Sequence, residues 1–348
     1  MNILSLKNIS LSLNKLEILN DINFSLETNQ VISILGPSGS GKSSILRLIA
    51  GLTIPSEGKV ICSQKIISTK KYVLPTGDRN IGLMFQEDVL FPHFTVKKNI
   101  SFGIENLSKT KKNTLINTYL EKFSLQGKEN LYPSELSGGE KQRVSLARIL
   151  ITNPKILLMD EPFSNLDSIL RREICDYTIK RLKQNKISVV FVTHDVDEAL
   201  RISDKIIILY NGKILQIDTP ENLYRYPKSK YVAKLLGSIN EFEIKSNNNG
   251  NLKTPFGIVN CKKCSFKGND CKGKKHYCII RPENLRIGKK GIKVKVVNKY
   301  YMGSSWSYEL SINKNSPSFH ISNCNYNLKK NDIVKVETDC KNILIFQD

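Results

Sequence analysis

The run Gly36-Pro37-Ser38-Gly39-Ser40-Gly41-Lys42-Ser43, with Ser44 behind it, has the residue types and spacing needed to hold a chain of phosphates. Its glycines let backbone amides turn inward around the oxyanions, and a helix opening behind them adds the positive end of its dipole. Lys42 can reach the terminal phosphates and Ser43 can ligate Mg²⁺. Far downstream, the apolar run Ile156 to Met159 ends in two adjacent carboxylates, Asp160 and Glu161. An acid at the end of a buried strand suits a metal shell, and its neighbour suits polarising an attacking water. Together the two motifs imply nucleotide phosphoryl chemistry. Alone, the acidic pair would more often be an ordinary strand end.

These groups need elements to hold them. Residues 3 to 35 read as strands, the last being the buried run VISIL just before the loop. Apolar residues then recur at helical spacing from Ser43 to Gly51, a natural stop. Residues 108 to 150 are helical and polar, interrupted at Pro133 and at Ser137-Gly138-Gly139. Strand-like KILLMD (155 to 160) and SVVFVTH (188 to 194) alternate with helical stretches at 168 to 184 and 195 to 201. Alternation of this kind predicts an α/β fold with an open, largely parallel sheet, and with the phosphate loop set between strand and helix the arrangement resembles a P-loop NTPase.

Leu136-Ser137-Gly138-Gly139-Glu140, followed by Lys141-Gln142-Arg143, resembles the signature motif of the ATP-binding cassette (ABC) ATPases. Gln86 in GLMFQEDVLFPH resembles the Q-loop, Ser164 to Asp167 the D-loop, and His194 in FVTHDVDEA the switch histidine of that family. The resemblance implies a RecA-like core with a helical subdomain at about 87 to 150, binding ATP and Mg²⁺. It places Gly36 to Ser44 on the phosphates, Ser43, Gln86 and Asp160 around Mg²⁺, and Glu161, His194 and Gln86 in catalysis. Ser137, Gly138 and Gly139, with Glu140 next in the signature, open a helix, so the amides of the first three and the Ser137 hydroxyl form a second anion cradle. By resemblance this cradle closes on ATP held by the other copy in a head-to-tail homodimer, with Asp167 beside it. Two departures stand out. Leu13 occupies the position where the family stacks an aromatic ring on adenine, leaving an apolar contact, and Glu140 replaces the commoner Gln, with a small expected effect. The stretch Gln86 to Phe94 is apolar and aromatic where the family docks its permease; core packing is its alternative.

Beyond Leu236 the pattern changes to short strands with frequent turn signals, predicting an all-β barrel, OB-like and of the TOBE type. The expected boundaries are 1–236 for the ATPase domain, 237–250 for a linker and 251–348 for the barrel. TPENLY (219 to 224), YVAKLLGSIN (231 to 240) and IRPEN (280 to 284) resemble the linker and barrel of importer ATPases serving maltose, polyamine, sulfate and ferric iron permeases. Ferric iron is the expected cargo, with polyamine or sulfate as alternatives. The resemblance adds two permease subunits and, indirectly, an extracytoplasmic solute-binding protein. A soluble ABC ATPase acting on ribosomes or nucleic acid is the other class. The second cassette or long coiled-coil insertion usual there is missing, so no nucleic-acid partner is expected.

Net charge is +21, with 20 basic against 9 acidic residues in 239–348 and 33 against 23 before them. Residence at the cytoplasmic face of an anionic inner membrane, as a peripheral subunit, together with a Lys-rich compositional habit of the source genome, accounts for such a charge without a nucleic-acid partner. No apolar run approaches the roughly 18 residues of a membrane span, and the alternating start MNILSLKNIS is not that of a secretion signal. Of eight cysteines, Cys261, Cys264, Cys271 and Cys278 cluster with Cys-x2-Cys spacing at the first pair. That set fits Zn²⁺ or an iron-sulfur cluster, and unligated thiols in a Lys-rich loop are the equal alternative.

Overall fold

The computed structural model describes residues 1–85, 90–104, 107–246, 251–260, 276–313 and 317–347. The chain divides into two compact bodies, Met1–Leu223 and Tyr224–Asp348.

In the first body the elements run β1 (Asn2–Leu13), β2 (Leu16–Glu27), β3 (Val31–Leu35), α1 (Lys42–Ala50), β4 (Glu57–Cys62), β5 (Lys65–Thr69) and β6 (Ile81–Met84). Next come α2 (Val96–Ser101), α3 (Lys109–Lys122), α4 (Gly138–Leu150), β7 (Ile156–Asp160), α5 (Ser168–Gln184) and β8 (Ser188–Val192). The body closes with α6 (Val196–Ile202), β9 (Lys205–Tyr210), β10 (Lys213–Asp218) and α7 (Pro220–Arg225), the last crossing the division.

Six strands form a sheet in the order β10-β9-β3-β8-β7-β6, parallel except for β10. All of β3 and β8 is buried, which is why they read as unbroken apolar runs: a parallel sheet is covered on both faces. One face shares a core with α2 to α5, around Phe123, Leu146, Phe163 and Phe191. The other packs on α1 and on the antiparallel sheet β2-β1-β4-β5, around Leu6, Ile22, Leu48 and Val60. The helix α1 stops at Gly51, as the sequence predicts. That residue takes φ 84°, and its N–H donates to the carbonyls of Arg47 and Leu48.

The second body holds α8 (Lys230–Leu235), β11 (Asn240–Ser246), β12 (Asn251–Thr254), β13 (Gly257–Asn260), β14 (His276–Ile280), β15 (Arg286–Tyr301), β16 (Trp306–Ser311), β17 (Phe319–Cys324), β18 (Ile333–Glu337) and β19 (Ile343–Gln347). Its strands make two antiparallel sheets, β13-β12-β11-β14-β19 and β17-β16-β15-β18, over one core. This is the all-β body that the turn spacing predicts. Two details differ from the sequence reading. Residues 240–246, expected as linker, form β11 because Phe242 and Ile244 enter that core while the strand pairs with β14. The division precedes residue 236 because Ala233 of α8 packs on Ile279 and Phe346 of the barrel sheets.

Candidate active site

The phosphate loop leaves the C-terminal end of β3 at the centre of the sheet, where ligands of open α/β sheets bind. Two of its glycines are dictated by close packing. A Cβ on Gly36 would sit 2.2 Å from the Leu209 carbonyl oxygen. On Gly41, which has φ 99°, it would meet Leu19 at 2.6 Å. Gly39 instead faces open space, so Pro37, Ser38 and Gly39 form an exposed rim that a phosphate can approach. Ser40 is buried, with its hydroxyl unpartnered.

Lys42 is buried, and its Nζ donates to the carbonyls of Gly36 and Pro37, both at 2.9 Å. Burial pushes its ammonium below the ordinary lysine range, against the opposing pull of Glu161 and Asp160. Asp160, at the end of β7, is pushed up by burial. A hydrogen bond with Ser43 acts the other way, and the Glu161 charge adds to the rise. Its Oδ1 is buried without a partner. An orphaned carboxylate oxygen beside a serine hydroxyl fits a hard divalent cation.

Glu161 sits at φ 49°, fixed by its N–H donating to the Val192 carbonyl at 2.9 Å. Its Oε1 lies 3.3 Å from Nδ1 of His194, just beyond the end of β8. The histidine segment is held by a local network. Thr193 donates to buried Glu198, the Asp195 N–H donates to Thr193 Oγ1, and Asp195 caps α6 by accepting from the Glu198 N–H. The structure thus brings Lys42, Ser43, Asp160, Glu161 and His194 to the C-terminal ends of adjacent central strands. Leu13 ends β1 half exposed, two strand positions across a tight turn from Ile18, whose carbonyl approaches Gly41. Gln86 lies outside the described residues.

Ser137 caps α4, with its Oγ accepting from the Glu140 N–H at 3.4 Å while Glu140 Oε2 accepts from the Ser137 N–H at 2.8 Å. Glu140 also pairs with Lys128. Its side chain is therefore spent on the cap, and the open surface of the helix start belongs to Gly138, where a Cβ would touch nothing within 4 Å. The Lys128 pair and the Ser137 amide hold the Glu140 carboxyl down to about 2. A depressed folded-state value stabilises the protein above the ordinary carboxylate range, and this contribution is lost as pH falls toward 2. Glu140→Gln keeps an acceptor for the cap but drops the ion pair. Its melting temperature should lie below the parent's at pH 7, and the gap should narrow below the ordinary carboxylate range and close only as pH approaches 2. A constant gap across that range would show that the ion pair contributes nothing.

After the Q-loop, the described residues 90–94 are pinned by Asn99. Its Oδ1 accepts from the Phe91 N–H and its Nδ2 donates to the carbonyls of Phe91, Phe94 and Thr95. Phe91, Phe94 and the exposed Phe102 cluster there, with ring centroids 4.7 to 6.0 Å apart, and Arg148 lies over Phe91 at 5.2 Å.

A family profile described as ABC transporter matches residues 19–164. A ferric ion import ATP-binding protein of Haemophilus influenzae is 37% identical, over 82% of this chain and 80% of that protein. The chain belongs to the ABC transporter family of ATP-binding subunits. A spermidine/putrescine import ATP-binding protein of Clostridioides difficile is 36% identical over 90% of this chain and 89% of that one. A sulfate/thiosulfate import ATP-binding protein of Halalkalibacterium halodurans is likewise 36% identical, over 82% and 79%. The dimeric ATP-binding cassette MJ0796, solved in a post-hydrolysis state with ADP and Pi, superposes with a TM-score of 0.56 at 32% identity. That match covers 62% of this chain and 98% of MJ0796.

This ABC ATPase contains functional contacts that motif reading passes over. Gln142, immediately after the signature and 1% exposed, donates from Nε2 to the Glu161 carbonyl at 3.1 Å and accepts the Asn165 N–H at 3.1 Å. It ties the signature helix to the backbone of the loop that carries Glu161. Arg171 of α5 donates to the Leu166 carbonyl at 2.8 Å and reaches Asp195 at 3.4 Å, joining the D-loop to the histidine segment. The signal for Gln142 was a polar residue on the buried face of α4; Arg171 has none. Gln142→Ala should lower kcat about 10-fold with KM for ATP changed less than about 2-fold, because it acts through Glu161 rather than on nucleotide. Equal losses in kcat and stability-corrected binding would assign it a purely structural role.

Of the cysteine cluster, Cys261, Cys264 and Cys271 lie outside the described residues. Cys278 is wholly buried in β14 within the barrel core. Among the described residues no group of three or more His, Cys, Asp or Glu side chains is placed to hold a metal.

Proposed function

We propose that the chain is the ATP-hydrolysing subunit of an importer, working as a homodimer against two permease subunits at the cytoplasmic face of the membrane, with ferric iron as cargo. The observation that carries the importer reading is the likeness to import ATP-binding proteins over 82% and 90% of the chain, which reaches into both bodies. Among the described residues no helix is long and apolar enough to cross a membrane, in keeping with a peripheral subunit. The dimeric state of MJ0796 supports the pairing. The aromatic cluster at Phe91, Phe94 and Phe102 is the surface offered to the permease.

In this mechanism Lys42 exchanges its two loop carbonyls for the β- and γ-phosphate oxygens. Ser43 and Asp160, with Gln86, would hold Mg²⁺, which neutralises phosphate charge when bound. Glu161 accepts a hydrogen bond from the attacking water, and His194 braces the Glu161 carboxylate and contacts the γ-phosphate. The amides of Gly138 and Gly139 from the partner copy, flanked by Asp167, complete the oxyanion cradle. Leu13 gives the base an apolar contact.

Cargo is tested by reconstituting the ATPase with its permease and solute-binding protein and measuring ATP-dependent uptake. Ferric ion accumulation is expected, while uptake of spermidine or sulfate in its place replaces the cargo assignment. ATPase stimulation by nucleic acid, with none by the permease, would overturn the importer reading. A Zn²⁺ or iron-sulfur site at the cysteines is supported by the Cys261 and Cys264 spacing and opposed by the burial of Cys278. Less than about half an equivalent of metal in anaerobically purified protein would end it.

A further inference from the structure

Arg79 is 5% exposed and belongs to none of the motifs that face the nucleotide. Its guanidinium donates to neutral oxygens from three segments. Nε donates to the Leu74 carbonyl at 2.8 Å, Nη1 to the Ile49 carbonyl at 2.8 Å, and Nη2 to the Ile67 carbonyl at 3.0 Å and the Ser68 hydroxyl at 2.8 Å. Ile49 lies in the last turn of α1, Ile67 and Ser68 in β5, and Leu74 in the loop that leads to Arg79 itself. Gly51 makes the room, since a Cβ there would sit 2.4 Å from the guanidinium carbon. The cation thus rests on the negative end of the α1 dipole.

An apolar side chain would fill this core without the cost of burying a charge. What the planar fork adds is direction, because it fixes three segments at hydrogen-bond length in one plane. The far ends of those segments carry the chemistry. The helix α1 has 9 residues and opens with Lys42 and Ser43, about 13 Å from its last turn at the helical rise. Two residues beyond Arg79, β6 begins. It pairs in parallel with β7 from Ile81 opposite Ile156 to Met84 opposite Met159, one residue short of Asp160. Helix and strand are therefore joined twice, by the Ser43 hydrogen bond to Asp160 at the site and by Arg79 at the other end.

We propose that Arg79 is a positioning residue for the metal shell: by anchoring the last turn of α1 to β5 and to the entry of β6, it sets the axial position of the helix and holds Ser43 against Asp160. The proposal rests on the reading of Ser43 and Asp160 as Mg²⁺ ligands. The phosphate loop has its own supports, with the Gly212 N–H donating to the Ser40 carbonyl at 3.2 Å and Leu19 packed where a Gly41 Cβ would sit. Loss of Arg79 should accordingly weaken the metal's contribution and spare metal-free nucleotide binding.

The test is calorimetric titration of the full-length chain with a non-hydrolysable ATP analogue, in Mg²⁺ and in EDTA. In the parent, Mg²⁺ should tighten binding at least about 5-fold, and Asp160→Asn should remove that gain. Arg79→Lys keeps the charge but replaces the planar fork with a single ammonium. It should also remove the gain, with affinity in EDTA kept within about 2-fold and kcat lowered at least about 10-fold. Leu26→Ala, a cavity elsewhere in the same core, should lower the melting temperature and keep the gain. Should Arg79→Lys not fold, Ser68→Ala decides: it removes only the hydroxyl acceptor and should at least halve the gain. A full gain in the deciding variant, or equal loss in Leu26→Ala, overturns the proposal. No gain in the parent, or a gain that persists in Asp160→Asn, removes the metal reading and the proposal with it.

Discussion

Glu161→Gln lowers ATP turnover by at least about 100-fold while leaving ATP affinity within about 3-fold, and the protein accumulates as a nucleotide-bound dimer. The substitution is nearly isosteric. It preserves the backbone of residue 161, which is held at φ 49° by the Val192 carbonyl and by the Gln142 side chain. What it removes is the anionic oxygen 3.3 Å from His194, the group placed to accept from an attacking water. Ground-state contacts to phosphate come from the loop at Gly36 to Ser43, so binding survives. Single-turnover hydrolysis alongside size-exclusion chromatography with ATP reads both effects. Turnover within about 3-fold of the parent would remove Glu161 from the chemistry.

Lys42→Ala loses nucleotide binding as well as turnover. ATP no longer raises the melting temperature and turnover falls at least about 100-fold, yet the nucleotide-free protein melts within about 2 °C of the parent. The reason lies in the sign of the lysine's shift. Burial depresses its pKa, so the folded state disfavours the ammonium and its charge costs stability throughout neutral pH, being relieved only as pH rises through the lowered value. Two hydrogen bonds to Gly36 and Pro37 carbonyls offset that cost. A side chain kept charged in a partly dehydrated loop is poised for phosphate rather than for the fold. Differential scanning fluorimetry with and without MgATP measures it, and a retained ATP-dependent shift would contradict the assignment.

These two residues also mark different depths of legibility. Lys42 could be placed from sequence because its neighbours in the chain are its neighbours in space: strand, glycine loop and helix start are contiguous. The same holds for Asp160 beside Glu161, for the Ser137 cap three residues from the Glu140 amide, and for the stop at Gly51. The role of Glu161, by contrast, depends on what faces it, and the facing groups come from other elements.

The sequence by itself determined the phosphate loop, the acidic strand end, the signature cap, the α/β alternation and an all-β second body, because each is written in residues within one turn, one strand or one turn spacing. Only the tertiary structure decided that Ser43 meets Asp160, that His194 meets Glu161 across adjacent strands, and that Gln142 and Arg171 wire three loops together. It also decided that Cys278 turns into an apolar core, and that buried Arg281 holds the carbonyls of Tyr224 and Ala233. The physical reason is that periodicity fixes which face a residue takes, whereas sheet order and strand register fix what that face meets, and neither is encoded locally.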